Sequence, residues 1–172
     1  NKNILGKMKR LLLSVTICAV SFAALAQEDI SLNGKWSFWL PEDSVTADMQ
    51  QSMKIAKTVE VPHTYNIMDG LEDYAGKTIY ERNIPLPEQM KGKKARVNFE
   101  AVYHDAIVYV NSKKVGEHIG KGYTPFSFDV TSFLKPGQEN RLRVVVDNSY
   151  SDYNFPFQRA FDWANDGGIY RN

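Results

Sequence analysis

Hydrophobic and polar residues alternate with a period of two along much of the chain, which is the pattern of β-strands that bury one face. The alternation is clear in five stretches, which cover residues 35–40, 94–101, 105–110, 126–130 and 141–147. Two further stretches show it more weakly and cover residues 58–61 and 77–84. The pattern therefore predicts a succession of short strands.

The same alternation predicts which side chains enter the core. In the stretch 94–101 the apolar residues point inward, whereas Lys94 and Arg96 face solvent. A register shift of one residue would invert this arrangement. The apolar residues that we expect to share the core of two of these strands are Ala95, Val97, Phe99, Leu142, Val144 and Val146.

Turn and helix signals lie between the strands. Asn111-Ser112 is expected at the tip of a hairpin, because asparagine tolerates a positive φ. Residues 44–57 have room for one or two helical turns. Residues 131–134 predict a single turn, with Thr131 available as its N-cap.

Many short strands with almost no helix predict an all-β fold, a sandwich of two antiparallel sheets. The pattern alone does not separate a jelly-roll from an immunoglobulin-like sandwich, although the Cys…Trp…Cys framework of true immunoglobulin domains is absent. The single cysteine is Cys18. The 146 residues from position 27 onward are enough for one domain, which core burial must hold without a disulfide.

The first residues have the layout of a targeting segment. Met8-Lys9-Arg10 is a short basic start, an apolar run follows, and Ala24-Leu25-Ala26 supplies small residues before Gln27. Residues 8–26 therefore predict a signal peptide, and residues 1–7 are interpreted as a non-native leader. A transmembrane helix is the alternative, but the run is shorter than the roughly 20 apolar residues that a span requires. We expect an exported protein, periplasmic or extracellular, with no membrane association after signal removal.

Charge excludes one class of partner. The chain has 21 basic and 20 acidic residues, but four basic residues lie in the segment 1–26, which has no acidic one. The remainder has 17 basic and 20 acidic residues, a net charge of −3. Nucleic-acid binding requires a basic surface, so nucleic acid is not an expected partner.

No complete catalytic apparatus is visible in the sequence. His63, His104 and His118 are scattered without the spacing of metal ligands, so we expect no metal and no other cofactor. There is no phosphate-binding glycine loop, no ordered Ser/His/Asp set and no marked pair of carboxylates. Catalytic residues are therefore not assigned to this chain.

A series of short motifs runs through the chain in a fixed order. It comprises Leu32-Asn33-Gly34-Lys35-Trp36, Val61-Pro62-His63-Thr64-Tyr65, Tyr80-Glu81-Arg82, Phe99-Glu100-Ala101-Val102, Tyr109-Val110-Asn111, Gly122-Tyr123-Thr124-Pro125-Phe126, Val146-Asp147-Asn148 and Gly167-Gly168-Ile169-Tyr170-Arg171. The ordered series resembles the start of glycoside hydrolase family 2 enzymes and covers nearly all residues after position 27. The departures are mild, such as Asn111-Ser112-Lys113 in place of Asn-Gly-Lys.

The resemblance implies an architecture and an activity. It implies that residues 27–172 form a jelly-roll sandwich of the galactose-binding-domain type, followed in the family by an immunoglobulin-like domain and a catalytic (β/α) barrel. Such enzymes include β-galactosidases, β-glucuronidases and β-mannosidases, and they cleave terminal β-linked sugars with retention, using two glutamates on the barrel. The implied partners are a glycoside or oligosaccharide substrate and those two domains of the same polypeptide. The sequence does not identify the sugar.

The resemblance also implies one substrate-binding residue. In β-galactosidases and β-glucuronidases of the family, an aspartate of the first domain reaches the active site from six residues before the second residue of a pair, a small residue followed by glycine, that opens a strand. In this sequence that position is Asp162, whose carboxylate would accept hydrogen bonds from sugar hydroxyls. The alternative is that Asp162 braces its loop. Trp163 stacks on a sugar ring or packs between domains.

Other polar residues rank lower as site candidates. His63 is interpreted as a hydrogen-bonded loop histidine, and Asp73 and Tyr74 as part of a solvated turn. Asn148, at the end of the strongest strand, is expected to satisfy a turn.

Two tryptophans and a pair of glycines complete the expectations. Trp36 is expected in the core, and Trp39 on the opposite face of the same strand. Gly167-Gly168 is expected to meet a backbone requirement and to open a new strand, for which the chain leaves little room. The domain is therefore interpreted as truncated at its C-terminal strand.

Two other functions remain open from the sequence. One is a stand-alone carbohydrate-binding module that acts without catalysis. The other is a purely structural domain that supports the barrel. The glycosidase interpretation predicts that the chain alone is inactive.

Overall fold

The computed structural model describes residues 28–41, 56–152, 157–158 and 164–171. The strands in these parts are β1 (Gly34–Trp39), β2 (Lys57–Val61), β3 (Lys77–Pro85), β4 (Arg96–Phe99), β5 (Asp105–Val110), β6 (Lys113–His118), β7 (Phe126–Asp129) and β8 (Glu139–Asp147). Short 3-10 turns occur at Tyr65–Ile67, Glu88–Met90 and Thr131–Phe133. The described residues from Leu32 onward belong to one compact unit, and residues 28–31, which belong to another, have no regular structure.

Two antiparallel sheets make up the fold. The larger has six strands in the order β2-β1-β3-β8-β5-β6, and the smaller pairs β4 with β7. The longest ladder joins β3 to β8, from Lys77 opposite Asp147 to Pro85 opposite Glu139. The predicted all-β antiparallel sandwich is therefore confirmed, and none of the described segments is a long helix. No helix in the described residues is long and apolar enough to cross a membrane.

The core lies between the sheets and contains the residues that the alternation predicted. Val97 and Phe99 are buried, Lys94 and Arg96 are exposed, and Ala95 is half-buried against the core. The buried residues of the six-stranded sheet include Trp36, Phe38, Val59, Tyr80, Ala106, Val108, Leu142, Val144 and Val146. Full burial of one such aliphatic or aromatic side chain contributes about 1.5–3 kcal/mol, so burial can hold the domain without a disulfide.

The two tryptophans of β1 lie on opposite faces, as predicted. Trp36 is in the core, and its indole Nε1 donates to the Leu32 carbonyl at 2.8 Å. The Arg82 guanidinium donates to the same oxygen at 2.7 Å, which anchors the chain where it enters β1. Trp39 is half-buried on the outer face, with the Arg143 guanidinium carbon 5.5 Å from its ring centre.

The hairpin between β5 and β6 has the predicted tip. Asn111 has φ 50° and Ser112 has φ 67°. Two successive positive φ values are those of a type I′ turn, whose twist matches the twist of the flanking strands.

One local prediction needs correction, and another is not tested. The turn at Thr131–Phe133 forms, but Thr131 does not cap it, since its Oγ1 instead accepts from the Ala95 amide at 2.9 Å. The Asp129 carboxylate accepts from the Thr131 amide at 2.9 Å in its place. The one or two helical turns expected within residues 44–57 fall mostly outside the described residues and stay a prediction; at the end of that range, Lys57 begins β2.

The connections that matter for function meet at one end of the sandwich. Lys77 at the start of β3 is opposite Asp147 at the end of β8, and Asp147 is opposite Asp105 at the start of β5. We use the name loop end for the segments that hydrogen bonds link here, which are residues 62–76, 100–104, 119–125, 148–152 and 164–171.

Candidate functional site

The two substrate-binding residues predicted from the resemblance, Asp162 and Trp163, lie outside the described residues. Their assignment therefore remains a prediction. The structure does describe the chain on both sides of them, residues 148–152 after β8 and residues 164–171 further on. The candidate site is built from these flanking segments and from the loop-end residues that contact them.

Residues 167–169 form an extended segment with backbone partners on both edges. On one edge, the His63 amide donates to the Ile169 carbonyl at 2.7 Å, and the Tyr65 amide donates to the Gly167 carbonyl at 2.9 Å. On the other edge, Tyr103 and Gly168 exchange backbone hydrogen bonds of 3.0 and 3.2 Å. The predicted new strand is thus reduced, in the described residues, to a single β-bridge, because both neighbouring segments are loops.

The Gly-Gly pair meets a backbone requirement, as predicted. A Cβ atom on Gly167 would overlap the Tyr65 hydroxyl. Gly168 has φ +150°, and a Cβ atom there would overlap the His63 carbonyl oxygen. No side chain fits at either position without displacing the segment that pairs with it.

Asn148 does more than satisfy its own turn. The residue is fully buried, and its Oδ1 accepts from the Gly76 amide at 2.8 Å. Its Nδ2 donates to the Asn165 carbonyl at 2.6 Å, and Asn165 Nδ2 donates back to the Asn148 carbonyl at 2.6 Å. This reciprocal pair joins the residue after β8 to the segment that follows Asp162 and Trp163.

Asn66 completes the polar network of the loop end. Its Nδ2 donates to the carbonyls of Leu71 and Tyr74, both at 2.9 Å. Its Oδ1 accepts from the Gly167 amide at 2.9 Å. These hydrogen bonds fix the backbone of residues 66–74 around the Asn66 side chain and attach the segment 164–171 to it.

Asn66 and Asn165 were missed from the sequence. Asparagine is common in loops for many reasons. Neither residue is marked by a motif or a spacing that would reveal a distant partner.

His63 is the hydrogen-bonded loop histidine that was predicted. Its Nδ1 lies 2.8 Å from the Tyr80 hydroxyl. Burial lowers the pKa of His63, so the ring is neutral near pH 7 and its Nδ1 can accept from that hydroxyl. Burial also raises the pKa of Tyr80 well above its usual value, which keeps the hydroxyl proton in place.

The residues of the 69–76 loop brace the backbone. The Tyr74 hydroxyl donates to the Lys77 carbonyl at 2.7 Å, and Asp73 is exposed. The prediction of a turn at these residues agrees with the structure. The hydrogen bond to Lys77 does not direct the Tyr74 side chain toward the segment 164–171.

His104 was not singled out from the sequence, yet it joins three segments of the loop end. Its ring is buried, with Nδ1 2.8 Å from Asp105 Oδ1 and Nε2 3.1 Å from the Ser149 carbonyl. The same Asp105 oxygen accepts from the Gly120 amide at 2.7 Å. Both ring nitrogens face acceptors, which favours the doubly protonated imidazolium.

The pKa of His104 follows from these partners. Burial alone would lower it, but the hydrogen bond and charge of Asp105, the Ser149 carbonyl and the charge of Asp147 together raise it above the usual 6.5. The adjacent His104-Asp105 pair at the start of a strand was the available sequence signal. The ring ties Ser149, the first residue after Asn148, to Asp105 at the start of β5.

Large exposed apolar side chains gather in the connections of the loop end. They are Ile67, Ile119, Tyr123 and Tyr150, and Phe157, between positions 152 and 164, is exposed as well. Ile67 is the most exposed of them at 75%. Large exposed apolar side chains on a contiguous patch are typical of surfaces that another protein element or a ligand covers.

The described residues hold no cluster of three or more His, Cys, Asp or Glu side chains that could bind a metal ion. The perturbed histidines, His63 and His104, are engaged in hydrogen bonds within the fold. The described residues of this end make hydrogen bonds and present exposed apolar side chains.

Comparison with known proteins agrees with the sequence resemblance. The family model described as "Glycosyl hydrolases family 2, sugar binding domain" matches residues 48–172. The chain belongs to this family. The predicted family and the jelly-roll type of sandwich are thereby confirmed.

The relatives of this sugar-binding domain are much longer enzymes. A beta-glucuronidase of Formosa agariphila is 33% identical over 162 residues, and a beta-galactosidase of Thermoanaerobacter pseudethanolicus is 36% identical over 156 residues. The alignments cover 83% and 86% of this chain, but only 16% and 20% of those proteins. The chain therefore spans about a fifth or less of the length of these curated relatives.

Solved structures have the same fold. Lactobacillus rhamnosus beta-glucuronidase matches 84% of this chain with a TM-score of 0.69 and 25% identity. A calcium-binding mutant of Bacteroides uniformis beta-glucuronidase 2 matches 83% with a TM-score of 0.66 and 34% identity. The matched part is 28% and 17% of those chains, respectively.

The close approach at Gly168 predicts a large loss of stability on substitution. Gly168→Ala should lower the free energy of unfolding by more than about 2 kcal/mol, because the added methyl meets the backbone of His63. Gly92→Ala is the matched control, since Gly92 also has a positive φ but has nothing within 4 Å of its Cβ position. It should cost about 1 kcal/mol. If urea unfolding shows an equal loss in the free energy of unfolding for the two variants, the close approach of Gly168 to the His63 backbone is contradicted.

The raised pKa of His104 predicts a pH-dependent contribution to stability. A base whose pKa is higher in the folded state stabilises the fold fully below its unfolded value of 6.5, and this contribution is lost as the pH rises through the folded pKa. His104→Gln should therefore lower the melting temperature more at about pH 5.5 than at about pH 8.5.

The control for this experiment is His63→Gln, for which the opposite trend is expected. The pKa of His63 is lowered by burial, so the wild-type ring destabilises the fold when acid forces its protonation. The cost of replacing it should shrink at low pH. If His104→Gln lowers the melting temperature by the same amount at both pH values, the His104 ring is not charged in the fold.

Proposed function

We propose that this chain is the N-terminal sugar-binding-type domain of an exported retaining glycoside hydrolase that removes terminal β-linked sugars. The observation that carries the proposal is the match of residues 48–172 to the family's sugar-binding domain. The names of the relatives, beta-glucuronidase and beta-galactosidase, support an enzyme that hydrolyses β-glycosides. In this proposal the two catalytic glutamates belong to a barrel outside the chain.

The role proposed for the domain is to supply one wall of the substrate site. Asp162 would accept hydrogen bonds from sugar hydroxyls, and a carboxylate accepts such bonds more strongly than a neutral group. Its position six residues before Gly168 supports this role. Trp163 would contact the sugar or the neighbouring barrel.

A surface for the rest of the enzyme also has support. The exposed apolar side chains of the described residues from β1 onward are concentrated in the loop-end connections, with Ile67 and Tyr123 75% and 55% exposed. Burial of these groups against the barrel would remove them from water. This concentration favours a domain of a larger enzyme over a stand-alone carbohydrate-binding module, whose apolar groups would stay exposed between binding events.

Replacement of Asp162 in the full-length protein tests the substrate contact. Asp162→Asn keeps the shape and removes the charge, so kcat/KM on a chromogenic β-glycoside should fall roughly ten- to a hundredfold, or about 1–3 kcal/mol. The melting temperature should stay near that of the wild type.

The control for Asp162→Asn is Asp152→Asn, which changes an exposed acid of the same connection. Its kcat/KM should match the wild type. If Asp162→Asn lowers the melting temperature and leaves the kcat/KM of the folded protein unchanged, Asp162 is a loop brace and the domain is a scaffold.

Export is the remaining part of the proposal and rests on the pattern of residues 8–26. When the full-length gene is expressed in a bacterium with a general secretion pathway, N-terminal sequencing of the exported protein should begin at Gln27. Ala26→Arg should block cleavage, because the cleavage enzyme requires a small residue there. Cytoplasmic protein that retains residues 8–26 would reject export but not the glycosidase proposal.

A further inference from the structure

We propose that the outer face of the six-stranded sheet, the side opposite the core, is a binding surface for a glycan chain. This face carries an apolar row of side chains, a charged row beside it and a polar cleft. Together they match a ligand that has both apolar C–H faces and hydroxyl groups. The surface is additional to the contacts proposed above and does not depend on hydrolytic activity, because its binding can be measured directly.

An apolar row crosses four neighbouring strands of the outer face. The ladders place Trp39 opposite Ile79. They place Ile79 opposite Val145 and Val145 opposite Ile107. All four side chains are half-buried, and none is among the residues that form the core or pack against it. Neighbouring strands lie about 4.8 Å apart, so the row is roughly 14 Å long. The outer face of an antiparallel sheet is commonly polar, so an apolar row there is an unusual feature.

A charged row lies beside the apolar row, two residues further along each strand. It comprises Ser37, Glu81, Arg143 and Tyr109, which are opposite one another in the same ladders. The Arg143 guanidinium donates from Nε to Glu81 Oε2 at 2.8 Å, and its Nη2 lies 2.7 Å from the same oxygen. Arg141 Nε lies 3.5 Å from Glu81 Oε1. Two arginines thus hold the Glu81 carboxylate, whose side chain remains 18% exposed.

A polar cleft opens at the edge of the charged row, where β1 and β3 separate. The ladder between these two strands ends at Ser37 opposite Glu81. The cleft has a volume of about 430 Å³, and its lining includes Lys35, Ser37, Thr58, Glu81 and Asn83. These side chains offer an ammonium group, two hydroxyls, a carboxylate and an amide. A sugar hydroxyl donates and accepts at once, so it can pair with each of these groups.

Trp39 joins the apolar row to the charged row. The Arg143 guanidinium carbon lies 5.5 Å from the centre of its ring, which is a cation–π contact. Trp39 is half-buried, so part of its apolar surface remains open to solvent beside Ile79. The C–H groups of a sugar can contact this apolar surface while its hydroxyls reach Arg143 and Glu81.

The charges of the outer face favour a glycan over a protein partner. The centres of protein interfaces are depleted of charged residues. A protein that covered the apolar row would also cover Glu81 and Arg143, and the removal of ions from water is costly. Sugar hydroxyls can replace the water at these ions, because hydrogen bonds to charged groups are stronger than those between neutral groups.

Native gel electrophoresis of the full-length protein through soluble polysaccharides tests the proposal. The probes are galactan, glucomannan and xylan, which are uncharged, so retardation in the gel does not report attraction between charges. At least one of them should retard the wild type. Trp39→Ala should raise the dissociation constant roughly tenfold, because it removes the aromatic contact. Glu81→Gln should also weaken binding, because it removes a charged acceptor and releases Arg143.

The matched control is Glu88→Gln. Glu88 is also a carboxylate paired with a cation, 3.7 Å from Lys91 Nζ, but it lies in the 3-10 turn after β3 and not on the outer face. Its variant should be retarded like the wild type. All three variants should keep the kcat/KM of the wild type on a chromogenic β-glycoside. If Trp39→Ala or Glu81→Gln does not fold, Asn83→Ala takes its place, since Asn83 is an exposed residue of the cleft.

Several results would overturn the inference. One is a wild type that none of the three polysaccharides retards, and another is retardation that Trp39→Ala and Glu81→Gln leave unchanged. A change of oligomeric state for Trp39→Ala in size-exclusion chromatography would make the outer face a protein interface instead. A parallel fall of retardation and kcat/KM would show an effect on the whole enzyme. If the wild type cleaves no chromogenic β-glycoside, the proposed function fails, and the retardation of the wild type and its variants still decides this inference.

Discussion

The loop end depends on how its buried backbone groups obtain hydrogen-bond partners where the two sheets stop. A buried amide or carbonyl without a partner costs free energy comparable to a lost hydrogen bond. Gly167 and Gly168 are buried, yet their only partners in the described part of the chain are loop residues. The side-chain amides of Asn66 and Asn148 provide partners for further backbone groups, because one side-chain amide can donate and accept hydrogen bonds at once. The glycines follow from the same constraint, because only residues without Cβ approach the neighbouring backbone so closely.

The sheets could be predicted from the sequence because strand alternation is a local property. The buried face of Val97 and Phe99 is indicated by residues one and two positions away, and the turn at Asn111 is indicated by two residues. The cap at Thr131 was wrong for the opposite reason. Its hydroxyl is engaged by the Ala95 amide, 36 residues away, a partner that no local pattern reveals.

The candidate site could be predicted only in part for the same reason. Asp162 was assigned through the family resemblance and the spacing to Gly168. The partners of Asn148 at Gly76 and of Asn66 at Gly167 are 72 and 101 residues distant in sequence. A single asparagine in a loop has many ordinary explanations, and its long-range role appears only when the chain is folded.

Two different anchors hold the beginning of the loop after β8, and they differ in their dependence on protonation. His104 bonds the Ser149 carbonyl and Asp105 at once only as an imidazolium, so the anchor weakens when the ring loses a proton. The neutral ring retains one N–H, and the Asp105 carboxylate competes for it. The Asn148–Asn165 pair, with its 2.6 Å bonds, carries no ionisable group, so its hydrogen bonds require no change of protonation. An amide pair is thus the more suitable device for holding the residues after β8 at constant geometry, and His104 adds to it in acid.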